Sequence, residues 1–203
     1  HSKTSSIAFY EKGAWFLHML KAQIGEEAFK ESIRAYLDKY KYNTVTTRNF
    51  KLTCEKVSGK DLTQFFEQWL ERPSMPIIKA AAEYEPNESK FTMRFEQAQK
   101  VNSRLPEYSI KIPFVIYTDI DTYSYESTLG NVSKSVSLTL NPKEKIKYIE
   151  VDPKAEILAN WKYDLPNEWM VNQLKEGKSK TFTRRILKDA NKDEFNEKSF
   201  EDV

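Results

Sequence analysis

At Pro76 the spacing of apolar residues changes from steps of three and four to steps of two, so the chain must build helices first and strands after. Before that point Phe29, Ile33, Tyr36, Leu37 and Tyr40 form one stripe of a helix running from about Glu26 to Tyr40. Its outer face carries Glu27, Lys30, Glu31, Arg34 and Asp38, an ordinary solvated surface. After Pro76, Phe91, Met93 and Phe95 alternate with other residues. Tyr108, Ile110, Ile112, Phe114 and Ile116 make a longer alternating run, Val136, Leu138 and Leu140 a third, and Ile146 to Val151 a further strand. Pro86-Asn87, Gly130-Asn131, Asn141-Pro142 and Asp152-Pro153 supply turns between them. Short strands with no helices between them predict an antiparallel β-sandwich rather than a parallel sheet. Pro113, inside the longest run, predicts an edge strand or a bulge.

The first helical segment, Ile7 to Ile24, is apolar on nearly every side, which predicts a helix buried all round. Tyr10 near its start is then either a core tyrosine with a satisfied hydroxyl or a placed hydrogen-bond donor. Ser5 or Ser6 is positioned to cap this helix, and Gly25 to end it. Thr47 suits the cap of a third helix bearing Phe50, Cys54 and Val57, closed by Ser58-Gly59. Asp61 suits the cap of a fourth, with Leu62, Phe65, Phe66, Trp69 and Leu70 on one face, stopped by Pro73 and Pro76. Helical spacing returns after Trp161. Pro166 sits at a first turn before Trp169, Met170, Gln173 and Leu174, and Phe182, Ile186 and Leu187 mark another helix. Residues 191–203 read as a short helix or a frayed tail. The expected class is therefore α+β in three parts: a helical region over 1–75, the sandwich over 76–160, and the start of a further helical region over 161–203.

Composition excludes several functions. With 32 basic against 30 acidic residues, net charge is +2 and no basic stripe marks a nucleic-acid binder. No apolar run reaches the ~18 to 20 residues of a membrane span. The single cysteine, Cys54, falls at core spacing and reads as a small hydrophobe. The two histidines, His1 and His18, stand far apart, with no H-e-x-x-H and no Cys/His pair, so no zinc site assembles from motifs here. His18, among Trp15, Leu17 and Met19, reads as a core or boundary residue. The five glycines form no phosphate-binding loop, and no carboxylate pair stands out as general acid and base. Sequons at Asn87 and Asn131 are too short to argue from, and the sequence leaves the compartment open.

Several blocks of the helical region match one family in order and spacing. They are Tyr10-Glu11-Lys12-Gly13-Ala14 with Leu17, Met19 and Leu20; Ile24-Gly25-Glu26-Glu27-Ala28-Phe29; and Tyr36-Leu37 with Tyr40. Thr46-Thr47 with Phe50, Ser58-Gly59-Lys60-Asp61-Leu62, and Phe65-Phe66-Glu67-Gln68-Trp69-Leu70 leading to Pro76 complete the set. Together they resemble the end of the catalytic domain of the aminopeptidase N family, the gluzincin zinc aminopeptidases. Gln97-Ala98-Gln99, Ile112-Pro113-Phe114 and Val151-Asp152-Pro153 fit the small β-sandwich that follows in that family. Trp169 to Leu174 fits the first helix of its repeat-like, HEAT-like helical domain.

The resemblance implies a C-terminal portion of a larger peptidase acting on peptide substrates. The zinc ligands, the glutamate base and the segment that binds the substrate's amino terminus are expected upstream, in domains that would be this portion's partners. In the family, zinc polarises the scissile carbonyl and activates a water. A tyrosine hydroxyl then donates to the oxyanion of the tetrahedral intermediate, and by resemblance Tyr10 is that tyrosine. A phenol suits the role because it keeps its proton at neutral pH. Glu11, Lys12 and Gly13 read as structural: a solvent-side pair and a close helix contact. The portion alone is expected to be inactive, with an exposed face available for self-association. Two alternatives remain open: a scaffold of the same architecture without a metal site, and a relative acting on a non-peptide substrate such as an epoxide.

Overall fold

The computed structural model describes residues 3–72, 74–103, 106–130, 132–140 and 144–190, with side chains described from residue 10 to 189 within those ranges. The expected reading of residues 191–203 and the turn at Asn141-Pro142 lie outside them, as does Pro73. The chain divides into two compact units, His1–Met75 and Pro76–Val203. It is a mixed α+β chain with helices first and largely antiparallel sheets after.

The first unit holds α1 (Lys3–Ile24), α2 (Glu26–Tyr40), α3 (Thr47–Ser58) and α4 (Thr63–Phe66). Gly25, at φ 92, makes the break between α1 and α2 in a conformation that side chains disfavour. Gly59, left-handed at φ 68, closes α3 as expected. The cap of α3 is Thr46 rather than Thr47. Asn49 lies three residues on, and its side chain returns a bond to the Thr46 amide at 2.9 Å, completing a reciprocal cap. Ser5 and Ser6 lie inside α1, which already begins at Lys3. Asp61 accepts the Thr63 N–H at 2.8 Å, and that bond holds its carboxyl below the usual range.

Two further expectations for this unit fail. The fourth helix does not run on regularly: after Phe66 the chain widens into a π-helical turn, Glu67–Glu71, which carries Gln68 and Trp69 into the interior. Nor is α1 buried all round. Phe16, Met19, Leu20 and Ile24 are buried, while Ala14 and Leu17 are exposed. With few helices in the unit, one stripe of α1 is buried among its described side chains. The core is aromatic: the Phe16 ring lies 5.3 Å from Phe65 and 5.0 Å from Phe66, and Tyr36 packs edge-on to Phe50 at 5.1 Å. Cys54 is fully buried, and burial pushes its thiol up, which fits a core role.

The second unit opens with β1 (Ile77–Glu85) and β2 (Lys90–Gln97) and continues with β3 (Ile110–Thr118), β4 (Thr122–Leu129) and β5 (Ser133–Thr139). Then come β6 (Ile146–Val151), β7 (Asn160–Asp164), α5 (Asn167–Glu176) and α6 (Lys180–Ala190). One sheet has the order β5-β2-β1-β7 and the other β4-β3-β6. The sheets face each other through alternating apolar residues, with the Phe114 ring 6.4 Å from Phe91 and 5.9 Å from Phe95. Trp169 of α5 adds a ring 6.2 Å from Phe91. Each such fully buried side chain contributes on the order of 1.5–3 kcal/mol.

Three features depart from expectation. Helical structure resumes only at Asn167: residues from Trp161 to Asp164, placed in the helical region by sequence, belong to β7, and β7 pairs parallel to β1, so the sheet is mixed. β3 is the central strand of its sheet, although it contains Pro113. The proline is tolerated because its main-chain polar side faces β6 just beyond the last paired residue: the ladder starts at Phe114↔Val151, and the Pro113 C=O accepts the Asp152 N–H at 2.8 Å. The bulge in this pairing occurs at Tyr117/Thr118 instead.

At the end of β2 a side chain substitutes for a strand. Gln97, 2% exposed, donates to the Tyr108 C=O and accepts the Tyr108 N–H, both at 2.8 Å. Gln99 donates to the same Gln97 oxygen at 2.9 Å and accepts the Ile77 N–H at 3.0 Å. Gln97→Ala is expected to cost about 1–3 kcal/mol for each buried main-chain group it strands. A fall in the urea midpoint, with lost amide protection at the start of β3, is the measurement that checks it.

Helices α5 and α6 bury Trp169, Phe182 and Ile186, and buried polar groups join them to β6 and the turn after it. Glu150 accepts from the Ser179 N–H at 2.7 Å, from Gln173 Nε2 at 3.1 Å and from the Tyr117 hydroxyl at 3.2 Å. Burial, with the Glu150 carboxylate beside it, pushes the Tyr117 phenol well above its ordinary range. Asp152, left-handed at φ 47, accepts from the Glu156 and Ile157 N–H groups at 2.7 and 3.2 Å. It also pairs with Arg185 at 2.9 Å.

Candidate functional site

Tyr10 is the residue that sequence singles out, and it is 75% exposed, so the core alternative does not hold for this chain. It sits on the solvent stripe of α1 with Ala14 and Leu17, at helical steps of four and three, and all three are exposed. The opposite stripe, Phe16, Met19, Leu20 and Ile24, is buried and fixes the helix in its unit. A phenol is thereby mounted on a packed helix and aimed at an open face.

Its neighbours in the sequence block behave differently from one another. Glu11 is exposed. Lys12 is half-buried, and its Nζ donates to the Arg72 C=O at 3.4 Å, so it is not a solvent-side residue. Gly13 makes no close helix contact: a Cβ built there meets nothing within 4 Å. Gly13→Ala is accordingly expected to stabilise the chain by about 0.5–1 kcal/mol, since glycine in a helix interior is costly and nothing clashes. A rise in the thermal midpoint checks this. His18 is exposed rather than core or boundary, and its ring lies edge-on to Trp15 at 5.7 Å.

Among the described residues no group of three or more His, Cys, Asp or Glu could hold a metal ion. The residues described do not fit a zinc site, and no step through a metal is assigned to them. No helix among them is long and apolar enough to cross a membrane.

Known proteins match the helical segment that carries Tyr10. Residues 2–69 match the peptidase family M1 domain. This chain resembles part of an M1 aminopeptidase. Aminopeptidase N of Lactococcus lactis is 37% identical over 75 residues, covering 37% of this chain and 9% of that protein. A probable aminopeptidase 2 of Sulfurisphaera tokodaii is 28% identical over 138 residues, covering 65% of this chain and 17% of that protein. The fold likeness reaches further: the crystal structure of Legionella pneumophila aminopeptidase A in complex with aspartic acid superposes with a TM-score of 0.67 at 17% identity. That superposition covers 90% of this chain and 20% of the Legionella one. The chain thus spans between 9% and 20% of the length of these aminopeptidases. Tyr10 to Leu20, including the exposed stripe, lies inside the stretch that matches the M1 domain. The contact between Lys12 and Arg72 was not legible in the sequence, because the two residues are 60 positions apart and neither has a distinctive neighbour pattern.

Proposed function

We propose that this chain works as part of an aminopeptidase that removes N-terminal residues from peptides, with Tyr10 as a hydrogen-bond donor to the oxyanion. One observation carries the assignment: a tyrosine on the rigid helix of the M1-matching segment presents its ring to an open face instead of to the core. When the scissile carbonyl is attacked, negative charge gathers on its oxygen. A neutral O–H held where that charge appears stabilises the transition state more than the ground state. The packed stripe of Phe16, Met19, Leu20 and Ile24 supplies the rigidity, because a donor that has to be ordered during the reaction gives less. Zinc is the metal of this class of enzyme; its ligands are sought in sequence outside the described residues.

The test is hydrolysis of an aminoacyl anilide by the complete protein and by its Tyr10→Phe variant. A loss of at least tenfold in turnover with the fold intact supports the role. Near-normal turnover by the variant overturns it. A wild-type protein that hydrolyses nothing would favour a scaffold of the same architecture.

A further inference from the structure

We infer that Lys134 keeps the open edge of β5 from pairing with the same edge of a second copy of this chain. Among the described residues β5 ends its sheet: β2 lies on one side of it and no strand lies on the other. The opposite end of that sheet is covered. There the Tyr163 N–H of β7 donates to Asp189 Oδ2 of α6 at 2.7 Å. Among the described residues no such bond closes the outer side of β5.

Two bonds fix which main-chain groups of β5 face outward. At its ends the Val132 C=O accepts the Gln97 N–H at 2.7 Å, and the Leu140 N–H donates to the Ser89 C=O at 2.8 Å. The register between these bonds is unbroken, from Glu96↔Ser133 to Lys90↔Thr139. Alternation then turns the main chain of Lys134, Val136 and Leu138 toward β2, and that of Ser133, Ser135, Ser137 and Thr139 away from it. These four residues, each with one donor and one acceptor, form a template for another strand.

The side chains oppose that use. Lys134, Val136 and Leu138 stand opposite Phe95, Met93 and Phe91, which are all 0% exposed, so the three share the core side of the sheet. Val136 and Leu138 are half-buried, whereas Lys134 is exposed. A lysine thus interrupts an apolar row. One arrangement uses all four outward residues at once: β5 antiparallel to β5 of a second copy, about a two-fold axis at Val136. Ser133 then meets Thr139 of the second copy, and Ser135 meets its Ser137. In the same register Val136 faces its own counterpart, and Lys134 faces Leu138 on the core side. Pairing would press an ammonium against a leucine twice over and strip its water, which is costly. The main chain therefore permits self-pairing and the lysine refuses it.

The experiment measures the mass of the complete protein in solution by light scattering, over a range of concentrations. Lys134→Val restores the apolar row, and valine is a strong strand former, so β5 stays in place. This variant is expected to rise to about twice the wild-type mass. Lys134→Arg, which keeps the charge, is expected to keep the wild-type mass. Ser135→Pro added to Lys134→Val removes an outward donor at a position that an edge strand tolerates, and should return the mass to the wild-type value. The register is read with Val136→Cys in the Lys134→Val background. Residues facing each other there lie ~4.5 Å apart at Cα, so oxidation should link two chains. Ser137→Cys in the same background should not link them. An unchanged mass for Lys134→Val overturns the inference. So does association that Ser135→Pro leaves in place or that Lys134→Arg shares, and so does a link through Ser137→Cys in place of Val136→Cys.

Discussion

Arg185→Met is expected to destabilise the second unit by about 3–5 kcal/mol near pH 7.5, the typical cost of leaving one member of a buried ion pair alone. Asp152 is 0% exposed, and its carboxylate has one cationic partner in contact, Arg185 at 2.9 Å. The same guanidinium donates to the Asp152 C=O at 3.3 Å, so its removal frees a main-chain acceptor as well. The pH dependence follows from the direction of the shift. Burial pushes the Asp152 carboxyl up to about 6, against the pull of Arg185 and of the Glu156 and Ile157 amides. The folded chain therefore holds this proton more tightly than the unfolded one. The resulting stability is complete below about pH 4 and is lost as pH rises through about 6. Without Arg185 the carboxyl rises further, so the loss deepens and extends to higher pH. The deficit of the variant should be largest at pH 7.5 and shrink toward pH 4. Amide exchange in β6 and α6 reports the second unit alone, which matters in a chain of two units that need not unfold together. Unchanged protection at pH 7.5 would show that the pair contributes nothing. The Asp152→Asn/Arg185→Met double variant should recover part of the deficit, since the stranded charge is then gone.

On the role proposed for it, Tyr10→Phe in the complete protein should lower turnover on the order of 10²–10³, the usual effect of deleting one oxyanion donor. The loss should fall on kcat and kcat/KM together, because the bond forms only as charge develops. Stability should change by less than about 0.5 kcal/mol, since the ring is 75% exposed. A variant that raises KM while leaving kcat alone would mean that the hydroxyl binds substrate and does not stabilise the intermediate.

Strong periodicity made part of this fold legible. The stripe of α2 and the alternation of β3 both appear where their spacing places them, because each has one face against a core and one against solvent. Gly59 is legible for a different reason: a left-handed helix end favours it. β1 was hidden by its alanines, which carry little alternation, and β4 by polar residues on a half-exposed edge strand. β7 is short, and its place is set by a parallel pairing with β1 across more than seventy residues, which no local pattern encodes. The π-helical turn was hidden because Phe65, Phe66, Trp69 and Leu70 also fit a regular helix. At the site, residue spacing alone favoured a core tyrosine at Tyr10 over a placed donor. Resemblance favoured the donor, and its exposure removes the core alternative. The uniform apolarity of α1 misled, because composition says how greasy a helix is but not how many neighbours it has.

The pairing of β7 with β1 bears on how this chain can be cut. Its register runs from Ile77↔Asn160 to Ala81↔Asp164, so β1 has a neighbour on each side only while residues 160–164 are present. A truncation ending before Asn160 leaves one flank of that strand with a row of unanswered amides and carbonyls, and such a flank recruits strands from other molecules. Shortened versions ending there should come out of solution as oligomers or fibres, however well their cores are packed.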